Sequence, residues 1–192
     1  MLGFGGLNYT VWFYIAWLPD YLHRALHLSL SASGWLAAIP FIAGALGMLA
    51  SGVSTDWQER KGIPLTTVHK RQIVVGMLVS AAATAATANV HSSGAAIACI
   101  SGALFFIHFA GTSGWGLLQA ASPPEWLSTV ASIQNAGSYV FASLSSAVTG
   151  WLLDKTHSFD TAFLLCAGGA IFGAACYVFI VRTPLGISEA SQ

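Results

Sequence analysis

The chain has 192 residues, of which 55% are hydrophobic and only 7% are charged, and its formal net charge is zero. A soluble domain carries about 25% charged residues to solvate its surface, so this composition excludes a water-exposed fold and indicates the lipid bilayer as solvent. Without a basic stripe to neutralise phosphates, the sequence also argues against nucleic-acid binding. Three cysteines lie in apolar runs without metal-ligand spacing, so we expect no metal and no cofactor.

Charge-poor intervals predict an all-α membrane protein, a bundle of six transmembrane helices in one domain over residues 1–182. The interval 72–124 contains no Asp, Glu, Lys or Arg. A bilayer core of about 30 Å needs roughly 20 apolar residues per helix, so this interval holds two crossings. The predicted spans are about 4–22, 32–54, 72–90, 94–120, 127–153 and 161–181, followed by a polar tail, 183–192.

Charged residues predict the loops and the topology. The second span is expected to begin at the cap residues Ser31 and Ser33. The hydrophilic segment 56–71 is expected to be a loop. One predicted face carries five basic residues and the other only Arg24 and Lys155, so both termini should be cytoplasmic, in a bacterial inner membrane. The five basic residues are Arg60, Lys61, Lys70, Arg71 and Arg182.

The fifth span has one face of small and polar side chains, at 100° per residue. Such a face indicates either tight helix packing or the wall of a polar cavity. Lipid cannot satisfy the amide of Asn135, which should therefore face another helix or a wet cavity. The face comprises Ser128, Ala131, Asn135, Ser138, Ala142, Ser146 and Thr149.

Two further spans carry candidate ligand-binding groups. His108, Thr112, Trp115 and Gln119 share one face of the fourth span, by their spacing. His108 is either a titrating or anion-binding group or a neutral imidazole bonded to a neighbouring helix. On the first span, three residues are either donors to a ligand or anchors at the membrane interface. They are Asn8, Tyr9 and Trp12.

Catalytic chemistry is poorly supported by the residues. No carboxylate lies deep in a predicted span. The stretch from Gly111 to Gly114 resembles the Gly-x-Ser-Gly of rhomboid intramembrane proteases, which leaves a remote serine-protease alternative with Ser113 as nucleophile. The only later histidine, His157, lies in a loop at the wrong side of the membrane to serve as its base. We therefore expect a protein that is not an enzyme.

Several motifs together resemble a known transporter family. They are Asn8-Tyr9 with Trp17-Leu18-Pro19-Asp20-Tyr21-Leu22, Ala38-Ile39-Pro40 leading to Gly44 and Gly47, Asp56 with Arg60-Lys61-Gly62, the run from Gln119 to Trp126, Ile133-Gln134-Asn135-Ala136-Gly137-Ser138, and Thr149-Gly150 with Ser158-Phe159. This set is similar to helices seven to twelve of major facilitator superfamily transporters of the anion:cation symporter family, which take up sugar acids and other organic anions. Asp20 stands where that family typically has Thr, and Ser146 where it usually has Pro.

The resemblance implies roles for particular residues. Asn135, with Gln134 and Ser138 beside it, would lie at the central substrate cavity. Asp56 and Arg60 would act in conformational gating, the alternative being a solvated loop that holds topology.

The resemblance also implies an incomplete transport unit. A six-helix half would need a separate N-terminal half or a second copy to transport a small organic anion by proton-coupled or sodium-coupled alternating access. A truncated, non-transporting membrane protein that only associates with other helices is the alternative.

Overall fold

The structure, a computed structural model, describes residues 1–90 and 92–181. Within these residues it contains six long α-helices and no strand, which confirms the all-α, six-helix prediction. A 3₁₀ turn, Pro124–Trp126, precedes the fifth helix. His91 and the tail, with Arg182, lie outside the described residues. The helices are α1 Leu2–Arg24, α2 Leu30–Glu59, α3 Leu65–Thr87, α4 Ser93–Ala121, α5 Leu127–Thr156 and α6 Asp160–Phe179.

Three of these helices, α2, α4 and α6, are long and apolar enough to cross a membrane by length and composition alone. The other three carry more polar side chains. In α3 the run from His69 to Gln72 lowers the hydropathy of the first turns, and in α5 the polar face does so along much of the helix. Such helices cross a membrane when their polar faces are covered by neighbouring helices.

The expectation that residues 56–71 form a loop is wrong. Helix α2 continues to Glu59 and α3 begins at Leu65, so the connection covers only residues 60–64. The backbone N–H of Arg60 still donates to the Asp56 carbonyl at 3.0 Å, and Gly62 closes the turn with a positive φ of 79°. Charge lowers hydropathy but does not end a helix, so the hydrophilic ends of both helices remain helical.

The start of α2 also differs from the prediction. Its N-cap is Ser29, whose hydroxyl accepts a hydrogen bond from the Ala32 N–H at 3.2 Å, so Ser31 lies within the helix. Ser33 is fully buried there, and its hydroxyl donates to the Ser29 carbonyl. Ser29, Ser31 and Ser33 could each cap a helix by their chemistry. Ser29 is the cap because the backbone is extended there and helical from the next residue.

Helix α1 occupies the middle of the bundle, because it packs mainly against α5 and α6 and also touches α2 and α4. Its aromatic residues Phe13 and Tyr14 are buried against Phe163 of α6, with the Phe13 and Phe163 ring centroids 5.4 Å apart. On the other side of the bundle, α4 packs against both α2 and α3. Gly47 allows the closest approach of α2, since any Cβ there would overlap the backbone carbonyl of Phe105.

A buried polar cluster joins α2, α3 and α4, and we call it the hydroxyl junction. Its acceptor is the side-chain oxygen of Gln72, which lies within hydrogen-bonding distance of the hydroxyls of Thr55 at 3.1 Å, Ser51 at 3.3 Å and Ser113. The hydroxyl oxygens of Ser51 and Ser113 are 2.9 Å apart, and because each hydroxyl has one proton, one of them can donate to the other while that other donates to Gln72. Ser51, Gln72 and Ser113 are all buried, so this cluster stabilises helix packing.

Candidate functional site

The residues singled out in the first and fifth spans meet at the α1–α5 contact. The Asn8 amide donates to the Ser138 hydroxyl at 2.6 Å, and that hydroxyl donates to the backbone carbonyl of Asn135, one turn earlier in α5, at 2.7 Å. Ser138 is fully buried, whereas Asn8 and Asn135 are only partly buried. Among the described residues, the Asn135 side chain makes no hydrogen bond. Two partly buried asparagines, one on each helix, are therefore linked through Ser138 at this packed contact.

Part of the polar face of α5 is used in helix packing, and another part is open, as the wall of a polar cavity would be. Ser138, Ala142 and Thr149 are buried and Ser146 is half-buried. The neighbouring Ser145, which was not predicted for this face, is buried and donates through its hydroxyl to the Tyr9 carbonyl of α1 at 2.9 Å. Ser128, at the start of the helix, is exposed. The C-terminal part of this face thus packs against α1, while the part near Asn135 opens to the surroundings.

Aromatic side chains extend the polar site across three helices. Trp12 of α1 packs edge-to-face on Tyr139 of α5, with ring centroids 5.9 Å apart. Phe4 of α1 packs in the same way on Trp115 of α4, at 5.3 Å. Helix α1 therefore lies between α4 and α5, and partly exposed aromatic rings flank it on both sides.

His108 packs against α2, which the spacing of the residues on the fourth span did not indicate. Its Nδ1 is 2.9 Å from the Leu104 carbonyl of its own helix, and the ring lies against Gly44 of α2, where a Cβ would come within 2.9 Å of Nδ1. Thr112 and Gln119, one and three turns further along, are exposed. Among the described residues no hydrogen bond joins His108 to Asn135, so a shared site of these two residues stays a prediction.

Two other candidates point away from the Asn8 amide. The ring of Tyr9 lies against Gly169 of α6, and its buried hydroxyl has no hydrogen-bond partner within the described residues. Gln134 lines a mostly apolar cavity of about 560 Å³ between the N-terminal ends of α1 and α5 and the C-terminal ends of α4 and α6. Its amide nitrogen is buried there, again without a described partner.

Asp56 and Arg60, the predicted gating pair, are both exposed at the C-terminal end of α2. Within residues 1–90 and 92–181, the one ion pair joins Arg24 to Asp20 at 2.7 Å, at the opposite end of the bundle. Asp56 and Arg60 are therefore positioned one helical turn apart but form no ion pair with each other in this conformation.

Sequence reasoning missed two contributors to this region. Tyr139, one turn after Asn135, is 49% exposed and packs on Trp12, and Phe4 supports Trp115. The spacing of four residues from Asn135 could have indicated Tyr139. Nothing in the sequence around Phe4 distinguishes it from the other apolar residues of the first span.

The arrangement around Ser113 does not support the protease alternative. Its hydroxyl is fully buried and bonds Ser51 and Gln72, so no histidine contacts it through a hydrogen bond in the part of the chain that is described. His157 ends α5 at the other end of the bundle, beside Asp20. A nucleophile would need a base within hydrogen-bonding distance.

The relatives of this chain are transporters of sugar acids by name. No protein-family model matches the chain. It is 45% identical over 185 residues to the probable L-galactonate transporter of Escherichia coli K12, covering 96% of this chain and 41% of that protein. It is 29% identical over 175 residues to the probable galactarate/D-glucarate transporter GarP of the same strain, covering 91% of this chain and 39% of the relative. The hexuronate transporter of Bacillus subtilis 168 is 27% identical over 185 residues, covering 95% and 44%.

All three relatives are named as transporters and not as enzymes, which agrees with the prediction of a non-catalytic protein. The chain spans about two fifths of the length of these relatives. Its helices and its relatives together identify an integral membrane protein. Over nearly its whole length the chain is similar to one part of these sugar-acid transporters, as its resemblance to the anion:cation symporter family of the major facilitator superfamily implies.

Proposed function

We propose that this chain is the second six-helix half of a secondary transporter that carries organic anions such as sugar acids. The observation that carries the proposal is the contact between Asn8 and Ser138, at 2.6 Å, which joins α1 to the turn of α5 that carries Asn135, with Asn8 and Asn135 both partly exposed. The names of the relatives supply the substrate class, since they are described as transporters of galactonate, galactarate, glucarate and hexuronate.

The chemistry of this wall suits a sugar acid. Amide N–H groups and carbonyls of Asn8 and Asn135 can pair with the hydroxyls and the carboxylate oxygens of such a ligand. The rings of Trp12, Tyr139 and Trp115 offer apolar faces to its C–H groups.

The residues described for this wall include no cationic side chain, although the substrate is an anion. In the proposed arrangement, a second six-helix unit supplies the opposite wall and the positive charge, either as a separate half or as a second copy. Alternating access is then a rocking of the two units about the site. The exposed residues Asp56 and Arg60, at the end of α2, would form contacts in one state and release them in the other.

Coupling to protons or sodium is also part of the proposal. His108 is the only histidine inside the predicted spans, so it is the candidate for a protonation step. If a His108→Gln variant keeps the pH dependence of uptake, His108 has no role in coupling. A variant that loses the pH dependence but still transports would assign that role to it.

For topology, we propose that both termini face the cytoplasm of a bacterial inner membrane. The basic residues Arg60, Lys61, Lys70 and Arg71 lie at the end of the bundle where α2 ends and α3 begins, as the positive-inside rule requires of the cytoplasmic end. Labelling of single cysteines introduced at Ser54 and at Asn89 in intact cells tests this. Only Asn89→Cys should react with an impermeant maleimide from outside.

The direct test of function replaces the matched segment of the probable L-galactonate transporter of E. coli K12 with this chain. The chain alone in proteoliposomes should accumulate no L-galactonate, because a single six-helix unit has no second unit against which it could rock to expose the site to each side of the membrane in turn. The chimera should take it up. Robust uptake by the chain alone as a monomer would contradict the half-transporter proposal.

Asn135→Ala in the chimera should lower uptake at least tenfold, and Asn89→Ala is the matched control because Asn89 is exposed at the end of α3. Both variants should assemble in the membrane to the same level. If Asn135→Ala transports as well as Asn89→Ala, the wall around Asn135 is not the substrate site.

A second function is favoured by one observation, the burial of Ser138, Ala142 and Thr149 against neighbouring helices. Small residues at such contacts are what a helix-association module would use. Under that alternative the chimera would assemble in the membrane without transport, and Asn135→Ala would change assembly. Under our proposal it changes transport and leaves assembly intact.

A further inference from the structure

A surface cavity on α3 combines two cations with an apolar floor, and it is separate from the proposed substrate wall. Its volume is about 370 Å³, and the described residues that line it include no acidic side chain. We call it the α3 groove. Its lining residues are Thr67, Lys70, Arg71, Val74 and Val75.

The two cations of the α3 groove differ in how they are held. Lys70 is partly buried, and its ammonium donates to the carbonyls of Val181 at 2.5 Å and Val178 at 3.4 Å, at the C-terminal end of α6. Arg71 is exposed, and it forms no ion pair with any acidic residue in the described chain. One charge is therefore fixed between α3 and α6, and the other stays available to a ligand.

The apolar part of the α3 groove continues toward the middle of the helix. Val75 is 54% exposed and Leu78, one turn further, is 46% exposed. Arg71, Val75 and Leu78 recur at helical spacing, so they lie on one outward face of α3. A cation at one end of the face is thus followed by a strip of exposed aliphatic side chains.

We propose that the α3 groove binds an anionic phospholipid. The phosphate pairs with the Arg71 guanidinium, with the Lys70 ammonium nearby and the Thr67 hydroxyl as a further donor, and an acyl chain lies along Val75 and Leu78. Basic pockets between helices on the cytoplasmic side bind anionic head groups in this way. A soluble anion would use the cations but would gain nothing from the exposed aliphatic strip, which favours a lipid.

The experiment is native mass spectrometry of the detergent-solubilised chain, titrated with phosphatidylglycerol or with phosphatidylcholine of the same acyl chains. We expect phosphatidylglycerol to bind more tightly, and Arg71→Gln to weaken it about fivefold, since one cation near an anionic lipid contributes roughly that factor. Arg60→Gln is the matched control, because Arg60 is an exposed cation at the same end of the bundle but outside the groove. It should change binding by less than about twofold.

Two further arms separate a lipid from a free anion and from general charge attraction. Val75→Ser should also weaken phosphatidylglycerol binding while leaving the cations intact, and inorganic phosphate should not compete with the lipid. Equal binding of both lipids, equal losses in Arg71→Gln and Arg60→Gln, or displacement by inorganic phosphate would each overturn the proposal. Thermal melting of every variant checks that it remains folded.

Discussion

The hydroxyl junction and the α1–α5 contact are built from the same kinds of side chain but differ in burial. In the junction, Ser51, Gln72 and Ser113 are all buried and the hydroxyls share one acceptor. At the α1–α5 contact, Ser138 is buried while the amides of Asn8 and Asn135 remain partly exposed. In this bundle, some polar groups are therefore fully used in helix packing, and others keep hydrogen-bonding sites that we propose for a ligand.

This difference is what separates a structural role from a proposed functional one. A buried hydroxyl whose partners are all protein groups can only change stability when it is removed. An amide with free hydrogen-bonding sites can change ligand binding with little effect on folding. The variants below are ordered by the expected size of their effect on stability.

Gly47→Ala should have the largest effect, because its new Cβ would overlap the Phe105 carbonyl of α4 and push apart the helices that hold the junction. We expect a loss of about 2–3 kcal/mol, typical of overpacking. Thermal unfolding in detergent measures it. Gly52→Ala is the control, since no atom of another helix lies within 4 Å of where its Cβ would stand, and it should be neutral or slightly stabilising. Equal melting of the two variants would show that α2 and α4 are not in close contact.

Gln72→Leu should have the next largest effect. It removes the acceptor that Ser51, Thr55 and Ser113 share, and leaving buried hydroxyls with fewer partners costs about 1–2 kcal/mol. The same unfolding assay applies, with Gln119→Leu as the control because Gln119 is exposed on α4. If Gln72→Leu melts no lower than the control, the junction does not stabilise the bundle.

Ser138→Ala should have the smallest effect on stability. Hydrogen bonds between transmembrane helices average only about 0.6 kcal/mol, so the loss of its contact with Asn8 should lower the free energy of unfolding by roughly that amount. A double-mutant cycle with Asn8→Val isolates the pair, and Ser128→Ala, exposed on the same helix, is the control. Fully additive losses would mean that Asn8 and Ser138 do not interact.

The sequence was sufficient for the all-α class and the number of helices, because burying charge in lipid is costly and membrane-crossing segments are therefore poor in charge. It was insufficient for the ends of α2 and α3, where Asp56 to Glu59 and Lys70 to Arg71 remain helical beyond the apolar region. Hydropathy indicates which segments can lie in the bilayer core, whereas the backbone hydrogen bonds determine where a helix ends.

For the candidate site, periodicity identified the polar face of α5 but not what covers it. The contact between Asn8 and Ser138 joins residues 130 positions apart, and no local pattern contains that information. For the same reason the sequence grouped Tyr9 with Asn8, although adjacent residues on a helix point about 100° apart and Tyr9 faces α6. Tertiary packing distinguishes the covered part of a polar face from the open part.

The most direct test of this account compares labelling at the two regions. In the chimera, with Cys99, Cys166 and Cys176 replaced by Ala, single variants Asn135→Cys and Ser51→Cys are treated with a small water-soluble maleimide. The account predicts that Asn135→Cys reacts, that L-galactonate slows its reaction, and that Ser51→Cys reacts slowly and is unaffected by the sugar acid. Equal reactivity at both positions, or no protection at Asn135, would contradict it.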